Sequence, residues 1–419
     1  MNRSSKYLSL GLVALSATLA TTVNASGLLR DDTASAYLGS AGAGRAADIS
    51  AGAAFNNPAG LAFIEQRQVQ ANLMAIDHHF NFKDQGSSGS NDGFDQRRRN
   101  VDYDVGVAAG NSLFYGQPLD ENWGMGLALA SPAGGAADFG SNWVGDNFIE
   151  SVDVLVLTAT ASVGYRINQQ WSLGASLGAN YMSWELDMAP FPGASENLDL
   201  SSTEFTWSLG LMYRPDELTR MGLRYVAGVE HELTGDTTLI SPMGTQKDQA
   251  THVFNLADLV TFSLDRQLGA GWTLLADLEW AQWSDLEESR IVHDHGPTIV
   301  IPRNWNDAWS AAIGFNYQLS QQWLLKVGIA YDQSVVSKAD HKLDPPMDRQ
   351  LAYAVGASWQ VSERTRLDMN YQYLDLGDIE VNQAINGYDP IAEAPFQQQI
   401  RGQSEAHIHL LSLGLSHQF

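Results

Sequence analysis

Counting back by twos from Phe419 separates the end of the chain into two unlike sets. His417, Leu415, Leu413, Leu411 and His409 form one; Gln418, Ser416, Gly414, Ser412 and Leu410 form the other. Successive side chains of a β-strand point to opposite faces, so one face here is mostly apolar and the other small or polar. The same period recurs far upstream. Trp272, Leu274, Ala276, Leu278 and Trp280 alternate with Thr273, Leu275, Asp277 and Glu279. Leu367, Met369, Tyr371 and Tyr373 alternate with Arg366, Asp368, Asn370 and Gln372. Trp309, Ala311, Ile313, Phe315 and Tyr317 alternate with Ser310, Ala312, Gly314 and Asn316. A helix, with its longer period, cannot keep such sets apart.

Many of these stretches begin or end in an aromatic, as at Trp123, Trp171, Tyr181, Trp207, Tyr213, Trp323 and Tyr331. Aromatics at strand ends suit the two interfaces of a bilayer, whereas a soluble sandwich places them mid-core. The pattern predicts an all-β fold, an antiparallel transmembrane β-barrel of about fourteen strands. They lie near 67–82, 100–115, 122–132, 151–167, 170–188, 203–214, 220–234, 252–265, 272–284, 307–319, 322–333, 350–361, 365–382 and 405–419. Short links (166–170, 318–322, 361–364) alternate with long ones (83–99, 133–150, 235–251, 285–306, 334–349, 383–404). That asymmetry is expected of periplasmic turns and extracellular loops.

The leading residues read as an export signal, 1–25. Arg3 and Lys6 precede the apolar run Leu8–Ala20, and Val23-Asn24-Ala25 supplies small residues for cleavage before Ser26. The run is too short to cross a bilayer as a helix, which needs ~20 residues. Over 419 residues the net charge is -24, and losing Arg3 and Lys6 makes it more negative by two. Such acidity argues against nucleic-acid partners. With no cysteine there are no disulfides or thiolate metal sites.

Residues 26–66 do not alternate. They are rich in glycine and alanine but also carry Leu28, Leu29, Tyr37, Leu38, Phe55, Leu61 and Phe63, which argue against disorder. A barrel of about fourteen strands encloses more space than wall side chains fill, since about eight strands suffice for a filled interior. This segment is suited to plug that space ahead of a barrel spanning 67–419.

Three segments stand out: Ser35-Ala-Tyr-Leu-Gly-Ser-Ala-Gly-Ala-Gly-Arg-Ala-Ala47, Asn57-Pro58-Ala59 and Pro132-Ala-Gly-Gly-Ala-Ala-Asp-Phe-Gly-Ser-Asn-Trp143. Through them the chain resembles the FadL/TodX family of outer-membrane transporters of hydrophobic compounds. Tyr165 to Gly174 and Trp323 to Asp332 resemble its strand-turn patterns. The resemblance implies a plugged barrel that takes up long-chain fatty acids or similar compounds passively. A ligand meets a groove among the outer loops, enters a pocket against the hatch and leaves sideways through the wall. It places Ser26, Gly27 and Leu28 at that pocket with Phe55, and Asn57, Pro58 and Ala59 in the hatch. Outer-membrane lipid, lipopolysaccharide and the barrel-assembly machinery are the implied partners, and a monomer the implied state. No cofactor or metal is implied.

In the third strand, Pro132 donates no ladder hydrogen bond, and Gly134 and Gly135 permit bends, which allows an inward kink or an ordinary strand-to-loop transition. Fatty-acid members place basic groups near the ligand carboxylate. Met188 and Asn306 align near such places and are neutral, while Arg303, Lys326 and Arg224 could serve instead. Neutral hydrocarbons, aromatics or esters are therefore open alternatives. His78-His79, His293-Asp-His295 and His407-Ile-His409 offer ligand pairs, but with no third ligand evident they read as loop or interfacial histidines. Asp285, Glu287 and Glu288 could hold Ca²⁺ or simply form a solvated loop. Arg97-Arg98-Arg99 could meet lipopolysaccharide phosphates or lie exposed. Asp277 and Glu279 are expected to pair with lumen arginines. A lipid hydrolase needs a Ser/His or Asp/His constellation, which no local motif supplies; a general porin lacks a hatch.

Overall fold

The computed structural model describes residues 33–419 except 91–92 and 344–347, with the side chains of 103–106 also left aside. Fourteen antiparallel strands close into one barrel. They are β1 (Gln68–Asp84), β2 (Val101–Pro118), β3 (Trp123–Asp138), β4 (Ser151–Arg166), β5 (Trp171–Met188) and β6 (Ser195–Asp216). Four strands are each interrupted once: β7 (Thr219–Val226, Val229–Ser241), β8 (Gly244–Leu256, Asp258–Gly269), β9 (Trp272–Gln282, Glu288–His293) and β10 (Thr298–Pro302, Ala308–Gln318). The last are β11 (Trp323–Asp332), β12 (Gln350–Ser362), β13 (Thr365–Asp389) and β14 (Ala394–Gln418). The seam joins β1 to β14 from Gln68↔Gln418 to Asp84↔Gly402. Among the described residues no helix is long and apolar enough to cross a membrane.

The alternation sorts the wall as the sequence predicts. Leu73, Leu411, Leu413 and Leu415 point out and are exposed, while Gln70, Asn72, Ser412 and Ser416 point in and are buried. Paired aromatics ring the end with the short turns: Trp123–Tyr165, Trp171–Tyr213, Trp272–Tyr317 and Trp323–Trp359 have centroids 4.7, 4.2, 4.7 and 5.8 Å apart. Trp207–Tyr225, with centroids 5.2 Å apart, and the opposed Trp280 and Trp309 mark the other interface.

The outer ends are longer than the sequence suggests. The expected loops at 235–251 and 383–404 are strand hairpins, with tight turns at Ser241–Gly244 and Asp389–Ala394. Alternation continues there, with Ile379, Val381 and Ile400 buried inside, but the outward face is polar because it stands clear of lipid. Likewise β6 begins at Ser195 rather than 203, and β3 continues past Pro132 to Asp138.

Residues 35–63 form four short helical pieces, Ser35–Leu38, Arg45–Ala47, Ala53–Asn56 and Pro58–Phe63, all inside the barrel. They are tied around its circumference. Ser162 and Ser172 donate to the carbonyls of Ala54 and Ala59 at 2.6 and 2.8 Å. Ser263 Oγ accepts from the Ala46 amide at 2.8 Å. Asn370 Nδ2 and Lys326 Nζ donate to the carbonyls of Ser35 and Ala36, each at 2.8 Å. Asp277 and Glu279 pair with an arginine inside the lumen, Arg45 of this segment, at 3.2 and 2.7 Å. Where the segment touches the wall, the wall is glycine. A Cβ at Gly124, Gly164, Gly174, Gly210, Gly222 or Gly328 would collide with its backbone or with Asn57.

Candidate functional site

Among the described residues, the ladder between β2 and β3 stops short within the wall. Strand β2 pairs with β3 only from Ser112↔Ala130 to Pro118↔Gly124. Above that, β2 stays on β1 and β3 stays on β4. The cause is local. Ala130 faces Thr158 and Ala133 faces Val156, so Ser131 and Pro132 together oppose Leu157, which is a bulge of one extra residue. Pro132 brings no amide hydrogen to the ladder. Ser131 Oγ turns inward and donates to the carbonyl of Val156 at 2.9 Å. Gly134 then takes φ 146°, a conformation that disfavours other residues. The edges of the resulting gap carry small residues: Ala108, Ala109 and Gly110 on β2, and Ala133 through Ala137 on β3.

Beside the bulge lies a cavity of about 50 Å³, lined by Phe55, Pro132, Trp207, Arg224, Val226 and Leu259. Phe55 reaches it from the Ala53–Asn56 turn and packs on Phe114, with centroids 6.4 Å apart. The Arg224 guanidinium lies 5.2 Å above the Phe55 ring. Three residues singled out in the sequence, Phe55, Pro132 and Arg224, thus meet here. Lys326 does not, because it is buried and held by Asp368 at 2.7 Å.

A second, larger apolar region fills the outer half. Trp184, Met188, Phe254, Trp283 and Trp305 are buried in one continuous cluster. His252 is buried among them, 4.9 Å from Trp184, and neither of its ring nitrogens nor Trp184 Nε1 has a hydrogen-bond partner among the described residues. Buried polar groups left so call for an explanation. Arg303 is also buried, with Nε donating to Ser289 Oγ at 2.9 Å. Asn306 is a loop brace instead: its amide and Nδ2 both donate to the Val335 carbonyl, at 2.7 and 3.5 Å. His252 and Trp184 were not foreseen; an inward-facing histidine between Thr251 and Val253 at a strand end was the available signal.

The 139–150 loop folds into this region. Phe139 stacks on Trp143 with centroids 4.6 Å apart, and Trp143 Nε1 donates to the Ile149 carbonyl at 2.8 Å. Arg97 and Arg98 fasten this loop, and Arg99 ties back to the end of β1. Arg97 pairs with Asp146, Arg98 donates to the carbonyls of Phe139 and Ser141 at 2.8 and 2.9 Å, and Arg99 meets Asp84 at 3.0 Å. Burial pushes the Asp146 carboxyl up to about 6 despite Arg97 beside it.

Asn57 is fully buried. Its Nδ2 donates to the carbonyls of Ala46 and Leu211 at 2.6 and 3.3 Å, and its Oδ1 accepts from the Ala59 amide at 3.1 Å. Pro58 opens the next helical turn, where its missing amide hydrogen costs nothing. Ser26, Gly27 and Leu28, like the 1–25 signal, lie outside the described residues. Of the loop acids open to Ca²⁺ or to plain solvation, Asp285 accepts from Gln282 and Glu288 turns to Arg290. His293 and His295 part company, binding Glu196 at 3.0 Å and Asp248 at 2.9 Å. Hydrogen bonding to Glu196 raises His293 above the ordinary histidine range.

Residues 16–419 match the family model described as outer membrane protein transport protein (OMPP1/FadL/TodX). The chain belongs to this family. It is an outer-membrane transport barrel of the Gram-negative type, and the family's members are channels rather than enzymes. A long-chain fatty acid transport protein of Salmonella typhi is 22% identical over 444 residues, covering 96% of this chain and 98% of its own. Outer membrane protein P1 of Haemophilus influenzae is 22% identical, covering 74% of each chain. Among solved structures, a Pseudomonas aeruginosa FadL homologue superposes with TM-score 0.82 at 20% identity, over 94% of this chain and 100% of its own. The Pseudomonas putida toluene transporter TodX gives 0.71 at 19% identity, over 94% and 99%. These likenesses show the fold, and the bulged third strand lies within the matched span.

Proposed function

We propose that this family member takes up amphiphilic hydrophobic molecules, long-chain fatty acids foremost, and releases them sideways between β2 and β3. The carrying observation is the bulge at Ser131–Pro132, which parts the two strands beside a cavity against Phe55. The 26–66 segment acts as the hatch. Its polar ties to the wall disfavour passage of an apolar chain straight through to the periplasm. The mouth on that side is lined by Asp48, Arg220, Asp265, Lys326 and Arg366, surroundings that disfavour an alkyl chain. An alkyl chain gains ~0.8 kcal/mol for each methylene moved from water into apolar surroundings. The outer aromatic region therefore collects the ligand, and the gap hands it to lipid without an energy source.

The substrate class follows from the polar groups. His252 and Trp184 present unpaired hydrogen-bonding atoms within the apolar region, and the Arg224 cation lines the lower cavity. A carboxylate accepts from His252 and Trp184 and is attracted by the Arg224 charge, whereas toluene does neither. Among the relatives, the Salmonella typhi protein is a long-chain fatty acid transport protein and TodX a toluene transporter. Uptake of labelled oleate and labelled toluene by cells whose only such barrel is this one separates the readings. Saturable oleate uptake that toluene does not compete supports the fatty-acid reading; toluene uptake with no oleate uptake overturns it.

A further inference from the structure

The barrel seam places three histidines together that lie at opposite ends of the chain. In the β1–β14 register, His79 stands opposite His407, and Asp77 opposite His409. All three imidazoles point outward, on the same face as Leu73, Leu411 and Leu413 but nearer the outer rim. Each offers one nitrogen, and these nitrogens lie within 4.8 Å of one another. His79 and His407 are stacked, with centroids 4.9 Å apart, and His407 and His409 meet edge to face at 5.4 Å.

Hydrogen-bonding groups flank these rings. His79 Nε2 is 3.2 Å from Asp77 Oδ2. Tyr371 Oη is 2.8 Å from His409 Nδ1, which fixes that ring and leaves Nε2 as its free ligand atom. Hydrogen bonds of this kind orient ligating histidines. Tetrahedral Zn²⁺ binds imidazole nitrogens at about 2.0 Å, which sets them about 3.4 Å apart. Rotating the side chains about χ1 and χ2 covers the remaining distance, since directly opposed residues have Cβ atoms about 5 Å apart. The strands need not move.

We propose that His79, His407 and His409 form a binding site for a divalent transition-metal ion of the zinc type. Three imidazoles suit Zn²⁺, Cu²⁺ or Ni²⁺ rather than Ca²⁺ or Mg²⁺, which take oxygen ligands. The fourth position falls to Asp77 or water. An ion there cross-links the first strand to the last and fastens the seam at the outer headgroup level.

The test uses full-length, untagged barrel in detergent, treated with a chelator and then titrated with Zn²⁺ against a chromophoric competitor. We expect saturation at about one ion per barrel, with affinity at least tenfold weaker in each of His79→Asn, His407→Asn and His409→Asn. His295→Asn, an exposed loop control, should match the parent. Heat-modifiable electrophoretic mobility confirms that each variant folds. Zn²⁺ should raise the thermal unfolding midpoint of the parent and not of His407→Asn, because the ion binds the closed seam alone. Co²⁺ in place of Zn²⁺ should give the visible absorption of a tetrahedral site. Absence of saturable binding, binding indifferent to the three variants, or an unmoved midpoint overturns the proposal.

Discussion

Gly210 of β6 and Asn57 of the internal segment fit together so closely that a Cβ at 210 would overlap Asn57 Oδ1. The same Asn57 amide donates to the carbonyl next in line, Leu211, at 3.3 Å. Wall and segment are therefore shaped to each other. Gly210→Val should displace Asn57 and break its bonds to Ala46 and Ala59. Asn57→Ala should leave those groups unpaired at about 1–3 kcal/mol. Both variants should fold as barrels but lose at least half of selective uptake. Normal uptake in folded Gly210→Val would show that this fit is incidental.

Arg45 lies between Asp277 and Glu279, all three nearly buried. Removing one partner of a buried cluster strands the others, at about 3–5 kcal/mol. Arg45→Met should therefore lower the thermal midpoint and loosen the segment, raising ion conductance through single barrels in planar bilayers. Conductance equal to that of the parent would count against a stopper held by this cluster.

Arg224 is the cation that lines the cavity with Phe55 and Pro132. A hydrogen bond to a charged group contributes about 1.5–3 kcal/mol. Arg224→Met should weaken uptake of oleate by about tenfold or more, while uptake of the methyl ester changes little. An equal loss for both would assign Arg224 a structural role.

His293 ties β9 to β6 through Glu196, with the Pro297 carbonyl on its other nitrogen at 2.8 Å. Its folded-state value is raised above 6.5, so the folded outer hairpin holds a proton that the unfolded one releases. The stabilisation is fully present below pH 6.5 and is lost as pH rises through the raised value. Amide exchange in 288–302, corrected for intrinsic rate, should show easier opening at pH 8.5 than at pH 6. His293→Gln should flatten that difference. A parent without pH dependence would remove this linkage.

The lipid-facing wall was readable because hydrocarbon imposes one rule on every strand: apolar out, small or polar in. Leu411, Leu413 and Leu415 declare it without reference to any partner. Above the membrane the rule lapses, which is why the hairpins at 235–251 and 383–404 read as loops. The aromatics at strand ends were informative for the same reason, since an interface acts on each side chain separately. Pairings were not legible. Arg45 and Asp277, or His79 and His407, meet only once the barrel has closed, and no local spacing records that closure. The wall glycines were visible as a small-residue face, but only the internal segment explains why they are glycine. In the site, Phe55 and Pro132 carried local signals of a plug and a bend. Arg224 was one of three candidate cations, singled out only by the cavity it lines, and His252 acquires meaning only from what packs around it.

The most direct test of sideways release is deletion of Pro132. That removes the one extra residue opposing Leu157, so β3 and β4 should run in unbroken register. With the bulge gone, β3 should zip onto β2 beyond Ser112 and close the gap. The account predicts a folded, heat-modifiable barrel that still binds oleate but whose uptake falls by tenfold or more. Undiminished uptake by a barrel shown to have lost the bulge would contradict it.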